Sequence, residues 1–513
     1  MNYCQFKYFL LTILFCFLSA VSHLLSAQSP DLTWMERMPV IEISYDNAQF
    51  NTETFVDASF VYYATDTICQ YSCKVRHRGG TSTAFAKPSY AVKFYDEGGA
   101  SLDVSFAGMR TDNYWILDAA AGDHSKIRNR ASMDLWLDFS HKPYHQAAEK
   151  KAINGTRGRF VEVYANGNYA GVYCLSERVD RKQLKLKKFS TNEETGEKSY
   201  RGLLYKAVNN INTRTPFFYY NKDVPSSDAI SQWDGMKNEY PDVLDAEPWS
   251  WTPLLTSVKK VALNSSSFRT NVETYFDLPV FFDYVLYIDL MCALDNVGKN
   301  YYCWFYDYSS GDKRLGYTPW DMDATWGRNW TGDPMSAEHP MNNRSNFHYR
   351  MKESYSGYLD TLAIRYAELR RTFWSEESLY RYFDRYFQLF EETGAIDREL
   401  QRWSGSNCRI NTIEVEKEFI HQWIHDRLAF LDEEYGFDPN FVPEDPDGND
   451  PIDNPDDGSD PDPDNADDPE TPDYIQAVSP DRESVIRHNL WGRRVEGSES
   501  GWLVRLGRLV FVK

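Results

Sequence analysis

Several common protein classes are excluded by what this sequence lacks. Beyond residue 27 no apolar run is long enough to span a bilayer, so no transmembrane segment is expected after the N-terminal stretch. Basic charge is scarce: 55 Lys and Arg stand against 76 Asp and Glu, net −21, which argues against nucleic-acid binding through a basic face. Cysteine is scarce too. Six remain past residue 27 (Cys69, Cys73, Cys174, Cys292, Cys303, Cys408), too few for a disulfide scaffold. Cys69 and Cys73 lack a second Cys or His pair nearby, so they read as buried thiols or a local bridge rather than half a zinc site. No Gly-x-Ser-x-Gly elbow exists, which disfavours a serine hydrolase. His421 and His425 share a helix face but lack the glutamate of a zinc peptidase, so they read as a surface or packing pair.

The 42% hydrophobic and 16% aromatic shares exclude global disorder. The negative charge is uneven. Residues 442–473 hold 14 acidic residues, eight prolines and no Lys or Arg, and read as a solvated linker. Their −14, the +3 of residues 474–513 and the +1 of residues 1–27 leave −11 on residues 28–441. At the N-terminus Lys7 precedes the apolar run Tyr8–Leu25 and the small pair Ser26-Ala27, which predicts a cleaved export signal at 1–27. Residues 474–513 read as short strands with glycine turns (Leu490–Val495, Gly501–Arg505, Leu509–Lys513). This tail resembles the sorting signals of Bacteroidetes type IX secretion cargo. The expected location is therefore outside the cytoplasm: secreted, on the cell surface or periplasmic.

Residues 28–441 are long enough for a large core. Strand alternation marks Pro39–Ile43 and Ala91–Tyr95, and helical spacing marks Ile127–Phe139. Asn166-Gly167 between Val161–Tyr164 and Tyr169–Leu175 predicts a tight hairpin. Phe281–Ala293 reads as a helix, Tyr301–Tyr308 and Arg314–Trp320 as strands, and residues 357–435 as amphipathic helices.

Chemistry concentrates at 278–327. Asp295-x4-Asn300 lies on a loop after a helix, and a hairpin returns at Pro319-Trp320-Asp321-Met322-Asp323. These hard oxygen donors suit Mg²⁺. The order also matches protein kinases, where a loop Asp, an Asn five residues on and a later Asp orient the hydroxyl and hold metal. The His-Arg before the loop Asp is replaced by Ala293-Leu294, and no Asp-Phe-Gly occurs. A plainer reading has Asp295 and Asn300 capping local turns and Asp321 and Asp323 forming a structural ion site.

Five pieces occur together: Val75–Ser82 with Lys87–Phe94, Trp115-Ile116-Leu117 leading to Asp123 and Ile127-Arg128-Asn129, Val161–Glu177, Asn300-Tyr301-Tyr302, and Pro319–Asp323. In this order they resemble the CotH family of spore-coat-type kinases over roughly 38–435. The resemblance implies an α+β, divergent two-lobed protein-kinase-like fold at 28–441. It implies transfer of the ATP γ-phosphate to protein Ser/Thr hydroxyls with Mg²⁺ or Mn²⁺, on surface or coat proteins. Carried over by position, Asp295 is the catalytic aspartate. Asn300 and Asp321 are metal ligands, with Asp323 beside them. Lys93 is the phosphate-binding lysine, with Lys87 as second choice. Arg78 lines the phosphates and Glu177 stands near the nucleotide. The alternatives are a non-catalytic surface or adhesion protein on the same fold, or a glycan-binding protein using Trp320, Trp326 and Trp330.

Overall fold

The computed structural model describes residues 38–46, 51–65, 67–199, 201–208, 235–241, 251–262, 266–341, 346–438, 501–505 and 508–512. The proposed export signal at 1–27, the acidic linker at 442–473 and residues 474–500 of the tail lie outside the described residues.

Seven strands come first: β1 Val40–Tyr45, β2 Val56–Ala64, β3 Thr67–Arg78, β4 Ser89–Phe94, β5 Tyr114–Asp118, β6 Gly158–Ala165 and β7 Asn168–Ser176. They close into a barrel in the order β1-β2-β3-β4-β5-β7-β6, with β1 running parallel to β6 to complete the ring. Alternation drives the closure. Ile41, Ile43, Phe60, Tyr62, Val75, Val92, Phe94, Trp115, Leu117, Val163 and Leu175 point inward and form one cluster. The β6–β7 turn uses Asn166 and Gly167 at φ +50° and +73°, the left-handed pair that a two-residue hairpin requires.

The outer faces of β6 and β7 are apolar as well. Phe160, Val172 and Cys174 pack with Ala131, Leu135 and Trp136 of the helix Arg128–Phe139 in a second, larger core. A small hairpin, β8 Ser190–Thr191 and β9 Lys198–Ser199, leads to a four-stranded antiparallel sheet. Its strands are β10 Leu203–Ala207, β11 Met236–Tyr240, β12 Tyr301–Phe305 and β13 Gly316–Pro319, in the order β11-β10-β12-β13. Tyr205, Tyr301, Cys303 and Tyr317 on this sheet share the large core with the helix Leu278–Leu290, which is buried on all sides. Leu204, Tyr302 and Trp304 belong to a separate small cluster with Val179, Leu184 and Leu186. Helices Asn346–Ser354, Tyr358–Arg371, Glu376–Thr393, Ala395–Trp403 and Ile413–Tyr435 complete the body. In the tail, β14 Gly501–Arg505 pairs antiparallel with β15 Arg508–Val512. No helix among the described residues is long and apolar enough to cross a membrane.

The expected two-lobed kinase-like architecture is corrected by this arrangement. The N-terminal strands form a closed seven-stranded barrel, and a second sheet is built into the helical part. The barrel's outer wall and the helices share one continuous core. The physical reason is that β6 and β7 bury both faces. The six cysteines past residue 27 are all free thiols.

Two buried charge networks join the parts. Arg128 is fully buried and donates to Asp123 at 2.7 Å, to Glu416 at 2.8 Å and to the Thr325 carbonyl at 3.1 Å. Lys87, also fully buried, donates to Glu399 at 2.6 Å and to the Ala119 carbonyl at 3.1 Å. Removing one member of such a network strands the others. Arg128→Ala is expected to cost about 3–5 kcal/mol of unfolding free energy, measured by urea melts. A loss below about 1 kcal/mol would contradict this account, because it is the scale of an exposed pair.

Candidate functional site

The site forms where the barrel meets the second sheet. Asp295 sits on the short turn Leu294–Asn296, and Asn300 immediately precedes β12. Asn296 ties the two loops together. Its Nδ2 donates to the Asn300 carbonyl at 3.0 Å and to the Trp320 carbonyl at 2.8 Å, and the Trp320 N–H donates to the Asn300 carbonyl at 3.0 Å. Asn300 and Asp321 both adopt φ +58°, a strained value for residues with side chains. The Asn300 Nδ2 donates to Asp295 Oδ2 at 2.9 Å, which leaves the Asn300 Oδ1 as its hard-ligand atom. Lys299 also reaches Asp295, at 3.0 Å.

A second clamp comes from the barrel. Asn129 donates to Asp118 Oδ2 at 3.1 Å and accepts from the Met322 N–H at 3.0 Å. The Pro319–Asp323 turn is thereby stapled to the end of β5. Between them lies a narrow cleft of about 30 Å³, lined in part by Arg78, Asp118, Lys126, Asn129, Trp320 and Asp321.

The electrostatics are unusual. Asp321 opens to solvent at the mouth, yet surrounding protein desolvates its carboxyl and raises its pKa. The Asp118 carboxylate pushes it further up, Lys206 and Arg78 pull it back, and Asp295 adds to the rise. Asp323 is held well above the usual carboxylate range by burial and then by Asp321, Asp118, Asp123 and Asp295. Among the described residues neither Asp321 nor Asp323 accepts a hydrogen bond from another side chain or from the backbone. Crowded carboxylates without donors present the field that a hard cation would neutralise. No three His, Cys, Asp or Glu side chains among the described residues converge closely enough to hold one ion. At most two of these carboxylates could share one ion, a number compatible with Mg²⁺ only where phosphate and water oxygens complete the shell.

The remaining expected residues divide. Arg78 reaches the cleft and stacks over Trp320 at 5.7 Å. Lys93 lies on the barrel's outer face with its ammonium over Phe55 and Tyr114, at 4.7 and 5.1 Å, and is not among the cleft-lining residues. Lys87 is committed to the buried Glu399 network. Glu177 is buried and accepts from the Arg110 and Arg157 backbones, from the Arg157 guanidinium and from Gln183 Nε2, at 2.7–3.1 Å. Burial works to raise its pKa, but these donors hold it below the usual range. It braces the wall. Sequence reading gave no site role to Lys206, Asp118 or Asn129, although Asn129 stood in one of the quoted pieces. Lys206 extends from β10 over Tyr302 and Trp320 at 5.5 and 5.1 Å, and burial lowers its pKa to about 8 despite attraction from Asp321. A lone lysine in the apolar strand Leu203–Ala207 was the available signal.

Trp326 is buried and donates to Ser132 Oγ at 2.8 Å, so it does not form a sugar platform, whereas Trp330 is 58% exposed. His421 and His425 pair with Asp384 and Glu376 at 2.9 and 3.0 Å. A carboxyl whose folded pKa is raised destabilises the fold once it ionises, so stability falls as pH rises through that folded pKa. Asp323→Asn is therefore expected to raise the thermal midpoint at pH 7.5 in the absence of metal, read by scanning calorimetry. A lower midpoint would show that the Asp323 charge is already compensated.

The family model described as CotH kinase protein matches residues 75–431. The chain is also similar to Inner spore coat protein H of Bacillus subtilis (strain 168), with 23% identity over 267 residues. That alignment covers 52% of this chain and 62% of the relative, less than two thirds of the relative's length. The matched region spans the barrel from β3, the second sheet and the helices to residue 431, and the chain belongs to the CotH kinase protein family.

Proposed function

We propose that this protein is an exported, Mg²⁺-dependent kinase that transfers the ATP γ-phosphate to a protein Ser or Thr hydroxyl. The observation that carries the reading is the joining, through Asn296, of the Asp295–Asn300 loop to the crowded, donor-free turn at Asp321 and Asp323. Asp295 is assigned to accept the proton of the attacking hydroxyl. The Asn300 Oδ1, Asp321 and Asp323 are assigned to hold the metal. Arg78 and Lys206, which flank Trp320, are assigned to hold phosphate oxygens. When bound, the metal–nucleotide supplies the phosphoryl group and neutralises its charge. The cleft, about 30 Å³, is far smaller than the several-hundred-Å³ pocket that a ligand of nucleotide size fills, so the nucleotide lies across its mouth in this reading. Export rests on the signal-like residues 1–27, and coat or surface substrates rest on the relative's name.

A second reading, a non-catalytic surface protein, is favoured by one contact. Lys299 already neutralises Asp295, the proposed base.

Radiolabelled phosphate transfer from ATP separates the two. Asp295→Ala, which removes the general base, and Asp321→Ala, which removes a metal ligand, are each expected to reduce transfer by about 10²-fold or more, while the thermal midpoint does not fall below that of the parent. Transfer that persists in both variants would remove the assignment. Lys206 deprotonates above about pH 8 in the free protein, so nucleotide affinity is expected to weaken above that pH. Lys206→Arg removes that alkaline limb, because arginine stays charged. An identical pH profile in Lys206→Arg would place the phosphates elsewhere.

A further inference from the structure

On the barrel's flank lies a groove of about 700 Å³ bounded by residues 108–111, 137–157 and 181–185. Its lining includes Arg110, Lys142, Lys150, Lys151, Arg157, Arg181, Lys182 and Lys185, together with His141, and no Asp or Glu. Such a concentration of one sign is out of keeping with a chain of net charge −21. Some of these cations are spoken for: Arg110 pairs with Asp180 and Asp112, Arg157 with Glu177, and Lys182 with Asp103 and Asp112. Others are not. Lys142 donates only to the Leu137 carbonyl, at 3.1 Å, and Lys150, Lys151 and Lys185 have no acidic partner among the described residues. Lys142, Lys150 and Lys151 are exposed.

We propose that this groove is the docking site for the chain's own acidic segment, residues 442–473. Charge is the first argument, since 14 carboxylates and no Lys or Arg meet at least four uncommitted ammonium groups. Connection is the second. The helix Ile413–Tyr435 is followed by Phe437, which packs on Tyr366, Arg370 and Arg371 of the helix Tyr358–Arg371. Five residues before Arg370, about 7.5 Å along that helix, Arg365 donates to the Phe139 carbonyl at 3.0 Å and to Asp283 at 2.8 Å. Asp283 in turn holds the His141 ring at 2.7 Å, and Ser140 and His141 form the groove's rim. The last helix therefore delivers the chain to the element that abuts the groove. A tether reaching up to ~3.3–3.6 Å per residue then presents the acidic segment at an effective concentration on the order of millimolar.

The test is zero-length carbodiimide cross-linking of the full chain at low protein concentration, mapped by mass spectrometry. The expected result is intramolecular Lys–Asp/Glu links from Lys142, Lys150, Lys151 or Lys185 into 442–473. Their yield should fall several-fold, roughly, at 0.5 M NaCl, where the Debye length is about half its value at 0.1 M. Links that are absent, that form equally from Lys188 and Lys352 outside the groove, or that join two copies would overturn the proposal. A second measurement guards against cross-linking bias. The K142E/K150E/K151E variant should show a larger radius of gyration by X-ray scattering at low salt than the parent, and an unchanged radius would also overturn it.

Discussion

One buried cation holds the working parts in register. Arg128 begins the helix Arg128–Phe139, which carries the barrel's outer wall. Its guanidinium holds Asp123 from the loop after β5, Glu416 from the last long helix and the Thr325 carbonyl just past the Pro319–Asp323 turn. Asp123 pays back the contact by accepting the Arg128 and Ser125 backbone N–H groups, so the helix start is capped by the same ion pair. Desolvation alone would raise the Asp123 pKa, but Arg128 outweighs it and keeps the carboxylate ionised. Asn129, the next residue, is thereby aimed at both Asp118 and the Met322 N–H. Barrel, turn and C-terminal helices thus meet in this one charge network, alongside the Lys87–Glu399 pair and the shared apolar core.

That rigidity allows the neighbouring site to be electrostatically unfavourable. Asp321 and Asp323 sit near Asp118 and Asp295 without donors, and their raised pKa values express the repulsion. A left-handed backbone at Asn300 and Asp321 adds local strain. Groups in such conflict persist where the surrounding scaffold over-determines them, and they are characteristic of sites that wait for a charged ligand. Glu177 makes the contrast. It is fully buried but surrounded by donors, and its pKa is lowered.

Much of this was legible in the sequence, but unevenly. The Asn166-Gly167 hairpin, the helix near Ile127–Phe139 and the order of loop, hairpin and Asp-Met-Asp turn all follow from local pattern. Barrel closure did not follow. It depends on β1 meeting β6 with Val40 opposite Glu162, 122 positions apart, and no local period encodes that pairing. Strands β10 and β11 were missed because they are short and acquire meaning only beside β12. With β10 went Lys206, whereas the assigned lysines fell on a stacking position and a buried ion pair. Motif position picked out carboxylates that the fold carries onto adjoining loops. It did not tell which lysine reaches the cleft, because many lysines share that chemistry and only packing separates a bracing lysine from one that faces the cleft.

The central claim is that the Asp321–Asp323 turn, braced by Asn129 and Asn296, holds a divalent metal together with a nucleotide. Electron paramagnetic resonance of Mn²⁺, titrated into the full chain with a non-hydrolysable ATP analogue, tests it most directly. The account predicts that the parent, at one equivalent, lowers free Mn²⁺ well below what the nucleotide alone leaves, and that Asp321→Asn does not. Equal Mn²⁺ binding by the parent and by Asp321→Asn, or no nucleotide-dependent binding by the parent, would contradict it.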